Sequence, residues 1–373
     1  MIIKEFKVLT IQTGLGKNWI FVLLISDSGL IGLGEASQSG DDQQVRWLLE
    51  QKLLPRLIGL DPVMDGNLFI QQIVKRKLGQ RVDGFQENTA ISSIEQALLD
   101  LRAQNVNLPI YNYFGGGLRT EIPLYANLNR ALADRSPESF GSLAMKAVKD
   151  GFKAVKCTPF DGVTPFLVRN QWIEKVRDGI ERIAAVREGI GVNIDLMVDC
   201  HGRFSAADAI WLIKELEQFD LYWLEDPVWS TEDLDQLREV RRKTEIRLAG
   251  GERVRGLYEA QLILRDRLLD VIMPDVKHCL GVTSWFHIAA MAEAMNIGIA
   301  PHNPAGPVST AFSAQLCAII PNLVWLEFPY SEVPWRNTVV TPEENISNGV
   351  YRLSELPGSG LQLNLKGLEQ HTS

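Results

Sequence analysis

The chain has 373 residues, of which 46% are hydrophobic and 23% charged, with a formal net charge of −8. Those values exclude a disordered, collagen-like or small disulfide-stapled protein. An acidic chain with no basic cluster is a poor phosphate-backbone binder, so no nucleic-acid partner is expected.

Four cysteines (Cys157, Cys200, Cys279, Cys317) lie far apart without C-x-x-C spacing, as in a reducing compartment. The opening MIIKEFKVLTIQ alternates apolar and polar residues, unlike a signal peptide, and no run approaches a membrane span. A soluble cytoplasmic protein with no membrane partner is the expectation.

Strands come first. Val8, Thr10 and Gln12 alternate with Leu9 and Ile11; after the loop Gly14–Asn18, Trp19–Ser26 and Leu30–Glu35 flank a turn at Asp27-Ser28-Gly29, as in a hairpin. Helical spacing follows. Val45, Leu48, Leu49 and Leu53 share one face, and Ile91, Ile94, Leu98 and Leu101 share another. Gly115–Gly117 stops this region, so residues 1–118 read as an α+β unit.

From there β-rich runs recur: Ile122–Ala126, Ala154–Cys157, Ile194–Val198, Tyr222–Leu224, Arg247–Ala249, Val271–Met273, Ile297–Ala300 and Val324–Leu326. Amphipathic segments such as Ala206–Phe219 and Trp285–Met295 lie between them. Alternating strand and helix predicts an α/β fold, a (β/α)8-type barrel over residues 119–330, with one unit open to modification. Residues 331–373 form an irregular tail in which Leu361, Leu363 and Leu365 suggest a late strand.

A barrel of this kind carries its site at the C-terminal ends of its strands. Those ends read Lys156-Cys157-Thr158, Asp199-Cys200-His201, Glu225-Asp226-Pro227, Gly251-Glu252-Arg253, Pro274-Asp275-Val276-Lys277, Pro301-His302-Asn303 and Glu327. From 199 the steps to 225, 252, 275, 302 and 327 are 26, 27, 23, 27 and 25 residues, one βα unit each. Three carboxylates in register (Asp199, Glu225, Glu252) would repel one another, and an all-oxygen set suits one Mg²⁺. Asp275 beside His302 would fix the imidazole tautomer and raise its basicity, as a general base requires. His201, two residues past Asp199, falls on the same side of its strand and could be a ligand or an acid; with three carboxylates available, acid is the better role.

At these residues the chain resembles the enolase superfamily, in its mandelate racemase group. The motifs are Asp-Cys-His-Gly-Arg (199–203), Leu-Glu-Asp-Pro-Val (224–228), Gly-Gly-Glu-Arg (250–253), Pro-Asp-x-x-His (274–278) and Pro-His-Asn-Pro-x-Gly-Pro (301–307), most similar to galactonate dehydratases and their relatives. The resemblance implies an N-terminal capping domain that sets specificity, completed by the returning C-terminal tail. It also implies that Asp199, Glu225 and Glu252 bind Mg²⁺, and that His302, paired with Asp275, removes the proton α to a substrate carboxylate. His201 would protonate the departing 3-hydroxyl, and Glu327 would hydrogen-bond a substrate carboxylate oxygen. The implied activity is dehydration of a small-molecule sugar acid (aldonate or aldarate) to a 2-keto-3-deoxy acid, in a protein whose relatives are commonly homo-oligomers. Another enediolate reaction, epimerization or cycloisomerization, and a non-catalytic sugar-acid binder are the alternatives.

Racemases of the group carry Lys-x-Lys at the end of strand two, and here the second position is Thr158. That argues against a reaction needing bases on both faces. Lys156 either contacts the substrate carboxylate or forms an interior ion pair. Thr158, Asn303 and Trp19 are candidate substrate contacts, with the Gly14–Trp19 loop closing over the mouth; Trp19 could equally begin the hairpin core. Lys277, His278 and His287 read as structural, His371 lies in the tail, and Cys157 and Cys200 read as packed barrel thiols.

Overall fold

The computed structural model describes residues 1–14, 17–74, 84–229 and 233–371. The chain opens on an antiparallel meander of β1 (Ile3–Gln12), β2 (Asn18–Ser26) and β3 (Ile31–Glu35). Gly29, at φ 83°, makes the tight β2–β3 turn. Helix α1 (Asp42–Trp47) widens into a π-type turn over Leu48–Leu53 and tightens to a 3-10 turn over Leu54–Leu57. Helices α2 (Gly66–Val74), α3 (Phe85–Asn105) and α4 (Ile110–Tyr113) complete the cap.

Helix α3 departs from the amphipathic expectation. Its polar residues Asn88, Thr89, Ser92, Ser93, Glu95, Gln96 and Asp100 are buried along with Ile91, Ile94, Leu98 and Leu101. The apolar face packs on the meander, and the polar face bonds to the barrel and the tail, which is why its hydrophobic stripe is weak.

Eight parallel strands follow: β4 (Glu121–Asn127), β5 (Ala154–Cys157), β6 (Asp195–Asp199), β7 (Leu221–Glu225), β8 (Leu248–Gly250), β9 (Val271–Ile272), β10 (Gly298–Ile299) and β11 (Leu326–Pro329). Each pairs with the next from β4 to β10, β11 pairs with β4, and a bridge between Ile299 and Leu323 closes the ring. Among the described residues seven α-helices lie between them: α5 (Pro137–Lys149), α6 (Arg169–Ile190), α7 (Ala206–Leu216), α8 (Leu234–Arg241), α9 (Leu257–Arg265), α10 (Gly281–Ala294) and α11 (Pro307–Cys317). After β11 no α-helix returns among the described residues until the short Leu365–Leu368 turn, so the eighth unit is the modified one.

The tail runs instead through β12 (Val340–Thr341), β13 (Ile346–Ser347), β14 (Val350–Arg352) and β15 (Gln362–Leu363). Strand β14 pairs antiparallel with the start of β4, and β15, at the expected late strand, pairs with β12. The chain then reaches the cap. The Gly358 amide donates to Leu108 and its carbonyl accepts from Ile110, while Ser359 donates to Asp100 at 2.6 Å and Gln12 to His371 at 3.2 Å. No helix among the described residues is long and apolar enough to cross a membrane.

Candidate active site

The barrel interior is built in layers because side chains alternate along a strand. One buried apolar layer comprises Tyr125, Ala154, Met197, Trp223, Ala249, Val271, Met273 and Ala300. Two residues further along, on the same inward face, stand Asn127, Lys156, Asp199, Glu225, Gly251, Asp275 and His302. The polar ring at the mouth is therefore the continuation of the core pattern. Strand β8 is the exception. Gly251 adopts φ 92° and contributes no side chain, so Glu252 enters the ring three residues past Ala249.

Lys156 sits at the centre of one half of the ring, almost fully buried. Its Nζ donates to Glu225 Oε1 at 2.8 Å and Oε2 at 3.0 Å, lies 3.1 Å from Glu327 Oε1 and 4.0 Å from Asp199 Oδ2. It also lies over the Tyr125 ring, 5.2 Å from the centroid. Burial alone would neutralise the ammonium, but the Glu225 and Glu327 carboxylates hold its pKa well above the ordinary value. Of the two readings of Lys156, the interior ion pair is the contact present here. Burial also drives Glu225 up to about 8, with Lys156 opposing and Asp199, Glu327 and Glu252 adding to the rise. Trp223 Nε1 donates to Glu225 Oε2 at 3.3 Å.

His201 Nε2 lies 2.9 Å from Asp199 Oδ2, and the His201 backbone amide donates to Asp199 Oδ1 at 2.8 Å. Burial works against the imidazolium, yet the Asp199 charge and hydrogen bond raise its pKa to about 9. Asp199 is in turn lowered to about 2: burial opposes ionisation and His201 and Lys156 overcome it. His201 and Asp199 thus each favour the other's charged form.

In the other half, His302 Nδ1 lies 2.7 Å from Asp275 Oδ2, and its Nε2 lies 3.2 Å from Glu252 Oε2. Burial disfavours the charged ring, but Glu252 and the Asp275 bond outweigh it and raise the pKa. Asp275 is clamped by Lys277, whose Nζ reaches both carboxylate oxygens at 2.9 and 2.7 Å and whose amide donates at 2.8 Å. Lys277 is buried in this role, its ammonium bonded to the same carboxylate that holds His302. His278 packs tilted against Phe85 and bonds Thr89 of α3 at 2.9 Å; burial lowers its pKa to about 3.

Glu327 is fixed from two sides. Asn127 Nδ2 donates to its Oε1, and the Asn303 amide donates to its Oε2 at 2.7 Å. The Asn303 side chain bonds Thr310 Oγ1 and the Glu327 carbonyl, so it holds the loop together. Thr158 is buried at the mouth, and its hydroxyl has no hydrogen-bond partner among the described residues. Trp19 lies within β2, buried edge-on against Trp335 at 5.3 Å, in the interface of cap and tail. Leu15 and Gly16 of the expected Gly14–Trp19 lid lie outside the described residues.

Among the described residues no three His, Cys, Asp or Glu side chains converge closely enough to enclose a metal ion. Each of the three carboxylates expected from the spacing meets another partner here: Asp199 meets His201, Glu225 meets Lys156 and Glu252 meets His302. The donor chemistry still fits a hard dication: the oxygens come from neighbouring strands, and Asp199 and Glu225 are paired directly across β6 and β7. Five ring carboxyl groups (Asp199, Glu225, Glu252, Asp275, Glu327) face two lysines, Lys156 and Lys277.

Sequence reasoning missed the supporting residues. Arg130 Nη2 donates to Gln38 Oε1 of the cap at 2.8 Å, and its Nη1 lies 3.7 Å from Glu332 beyond β11. Asn127 escaped notice because an amide ending a strand carries no distinctive pattern; only its place in the inward register marks it.

Two family models cover nearly the whole chain. Residues 6–115 match the mandelate racemase/muconate lactonizing enzyme N-terminal domain, and residues 140–367 match the enolase C-terminal domain-like family. The chain is 31% identical over 360 residues to a D-xylonate dehydratase of Haloferax volcanii, covering 95% of this chain and 85% of that one. It is 31% identical over 309 residues to a D-galactonate dehydratase of Pectobacterium atrosepticum, covering 83% and 78%. The crystal structure of a mandelate racemase/muconate lactonizing enzyme-like protein from Rubrobacter xylanophilus superposes with a TM-score of 0.90 at 29% identity, covering 100% of this chain and 98% of that one.

Proposed function

Since the chain belongs to the mandelate racemase/muconate lactonizing enzyme family of the enolase superfamily, we propose that it is a hydro-lyase that converts a sugar acid, an aldonate or aldarate, to its 2-keto-3-deoxy acid. The observation that carries this reading is two imidazoles, each held by a carboxylate, on a single polar ring. His302 Nδ1 lies 2.7 Å from Asp275, and His201 Nε2 lies 2.9 Å from Asp199.

In this reading residues 1–118 form the specificity cap, 119–330 the catalytic barrel and 331–373 a segment returning to the cap. His302 Nε2 takes the proton from the carbon α to the substrate carboxylate, and the C–H electron pair enters an enediolate. Asp275 keeps Nδ1 protonated, so only Nε2 accepts. Lys156 stays in its interior ion pair with Glu225 and Glu327, and Glu327 marks the end of the ring that would receive the substrate carboxylate. The C3–O bond then breaks, His201 Nε2 delivers its proton to the leaving hydroxyl, and the resulting enol tautomerises to the 2-keto product. Asp199, Glu225 and Glu252 would hold one Mg²⁺, which supplies positive charge that favours the enediolate over the ground state. Thr158 leaves no second base at the end of β5, which favours elimination over racemization.

The test is incubation of the purified protein with Mg²⁺ and a panel of aldonates and aldarates, followed by assay of 2-keto acids. Turnover that EDTA abolishes and Mg²⁺ restores is expected. Metal-loaded protein inert on the whole panel would sink the proposal, and α-deuteration in D2O without water loss would point to epimerization instead.

A further inference from the structure

The loop that carries His302 is only lightly held by its own strand. Strand β10 spans Gly298–Ile299, and helix α11 begins at Pro307. The residue at the helix N-cap position is Gly306, which has no side chain to cap the exposed amides. The cap supplies what is missing. Glu35, the last residue of β3, accepts from the Gly306 amide at 2.7 Å through Oε1 and from the Ser309 amide at 2.8 Å through Oε2. One carboxylate thus spans the N-cap and third-residue amides of α11, from a residue 271 positions away in sequence.

Glu35 is itself rigidly placed. It is fully buried, Ser37 Oγ donates to its Oε1 at 2.6 Å, and its own amide donates to Gln96 Oε1 at 3.1 Å. Burial pushes its pKa up, and the charge of Lys277, the residue that clamps both oxygens of Asp275, opposes that rise. Gly306 sits so close that a Cβ there would stand 2.9 Å from both Glu35 oxygens. The tail adds a second restraint: Arg336 reaches the Ala305 carbonyl and Thr310 Oγ1.

We propose that Glu35 is a positioning residue for the base: by capping α11 from the other domain, it fixes the Pro301–Gly306 loop and so the aim of His302 Nε2. This rests on the reading of His302 as the base. A negative charge at a helix N-terminus is favourable, and here the cap's docking and the base's alignment depend on the same two hydrogen bonds. The cap therefore contributes to proton abstraction as well as to specificity.

Glu95 makes a matched comparison. It caps α10 from α3 through the Thr283 amide at 3.3 Å and hydroxyl, away from the His302 loop. The experiment measures kcat, KM, α-proton exchange in D2O and urea stability for Glu35→Gln, Gly306→Ala and Glu95→Gln. Expected for Glu35→Gln is a fall in kcat of about tenfold or more, with KM changed less than about threefold and exchange reduced by the same factor as kcat. Gly306→Ala, which displaces the carboxylate without removing it, should give the same signature and stands in if Glu35→Gln does not fold. Glu95→Gln should lose stability but keep kcat within about twofold. Loss of kcat and exchange no greater than in Glu95→Gln would overturn the proposal. A wild type without turnover or exchange on any sugar acid would instead sink the assignment of the base, and this inference with it.

Discussion

Replacing Lys156 by Met keeps the length and apolar stem of the side chain and removes its charge. Three carboxylates then lose their shared counterion: Glu225 at 2.8 Å, Glu327 at 3.1 Å and Asp199 at 4.0 Å. Each of the two closer contacts is worth roughly 5–6 kcal/mol in gross Coulomb terms at an effective dielectric near 20. Proton uptake by the carboxylates recovers part of that, so the net loss should approach the about 3–5 kcal/mol typical of a broken buried pair. The pH dependence has a definite sign. Glu225 already lies at about 8, raised by burial against the pull of Lys156, and without Lys156 it must rise further. A raised carboxyl stabilises the fold while protonated, and that stability is lost as pH climbs past the unfolded value of 4.5 toward the folded one. Urea unfolding of wild type and Lys156→Met at pH 5.5 and pH 8 should therefore show a gap that widens with pH. Added Mg²⁺ should narrow it, since an ion bound only by the folded state stabilises that state. A gap below about 1 kcal/mol at both pH values, or one that shrinks as pH rises, would refute the ion-pair reasoning.

His302→Asn keeps a hydrogen bond to Asp275 but has no base; α-proton exchange should fall by about 10²–10⁴-fold with folding intact, and NMR in D2O reads it directly. His201 should titrate near 9 by NMR in metal-free protein and move toward 6.5 in Asp199→Asn. Because its folded pKa is raised, its contribution, about 1–3 kcal/mol after allowing for partial exposure, is complete below pH 6.5 and disappears as pH rises through 9; urea midpoints across that window check it. Asp100→Ala orphans the amides of Leu33 and Ser359 and the Gln104 amide group, which donate at 2.8, 2.6 and 2.9 Å. It should cost about 2–4 kcal/mol and loosen the tail from the cap, visible as faster hydrogen exchange at Ser359.

The barrel and its mouth were legible in the sequence for one reason: the inward face of a strand keeps its period from core to rim. Met197 and Trp223 predict where Asp199 and Glu225 point, and Met273 and Ala300 do the same for Asp275 and His302. The helix-sized spacing between strand ends supplied the register, and Thr158 in place of a second lysine narrowed the chemistry. What the strand pattern could not convey was the pairing of charges within the ring. Nothing in the spacing says that Lys156 rather than a neighbouring carboxylate faces Glu225, because that choice depends on which charges burial leaves uncompensated. The polar face of α3 was opaque for a related reason. Glu95, Gln96 and Asp100 look like a solvated surface until the barrel and tail arrive to accept them. Glu35 is the sharpest case: at the end of a β-strand it reads as an ordinary exposed acid, yet its two partners come 271 and 274 residues later. Local periodicity specifies each element and the chemistry it carries, whereas the bonds joining cap to barrel pair residues whose own neighbourhoods contain no sign of the contact. Those bonds hold the loop that carries His302, so in this fold the precision of the site lies in its least legible part.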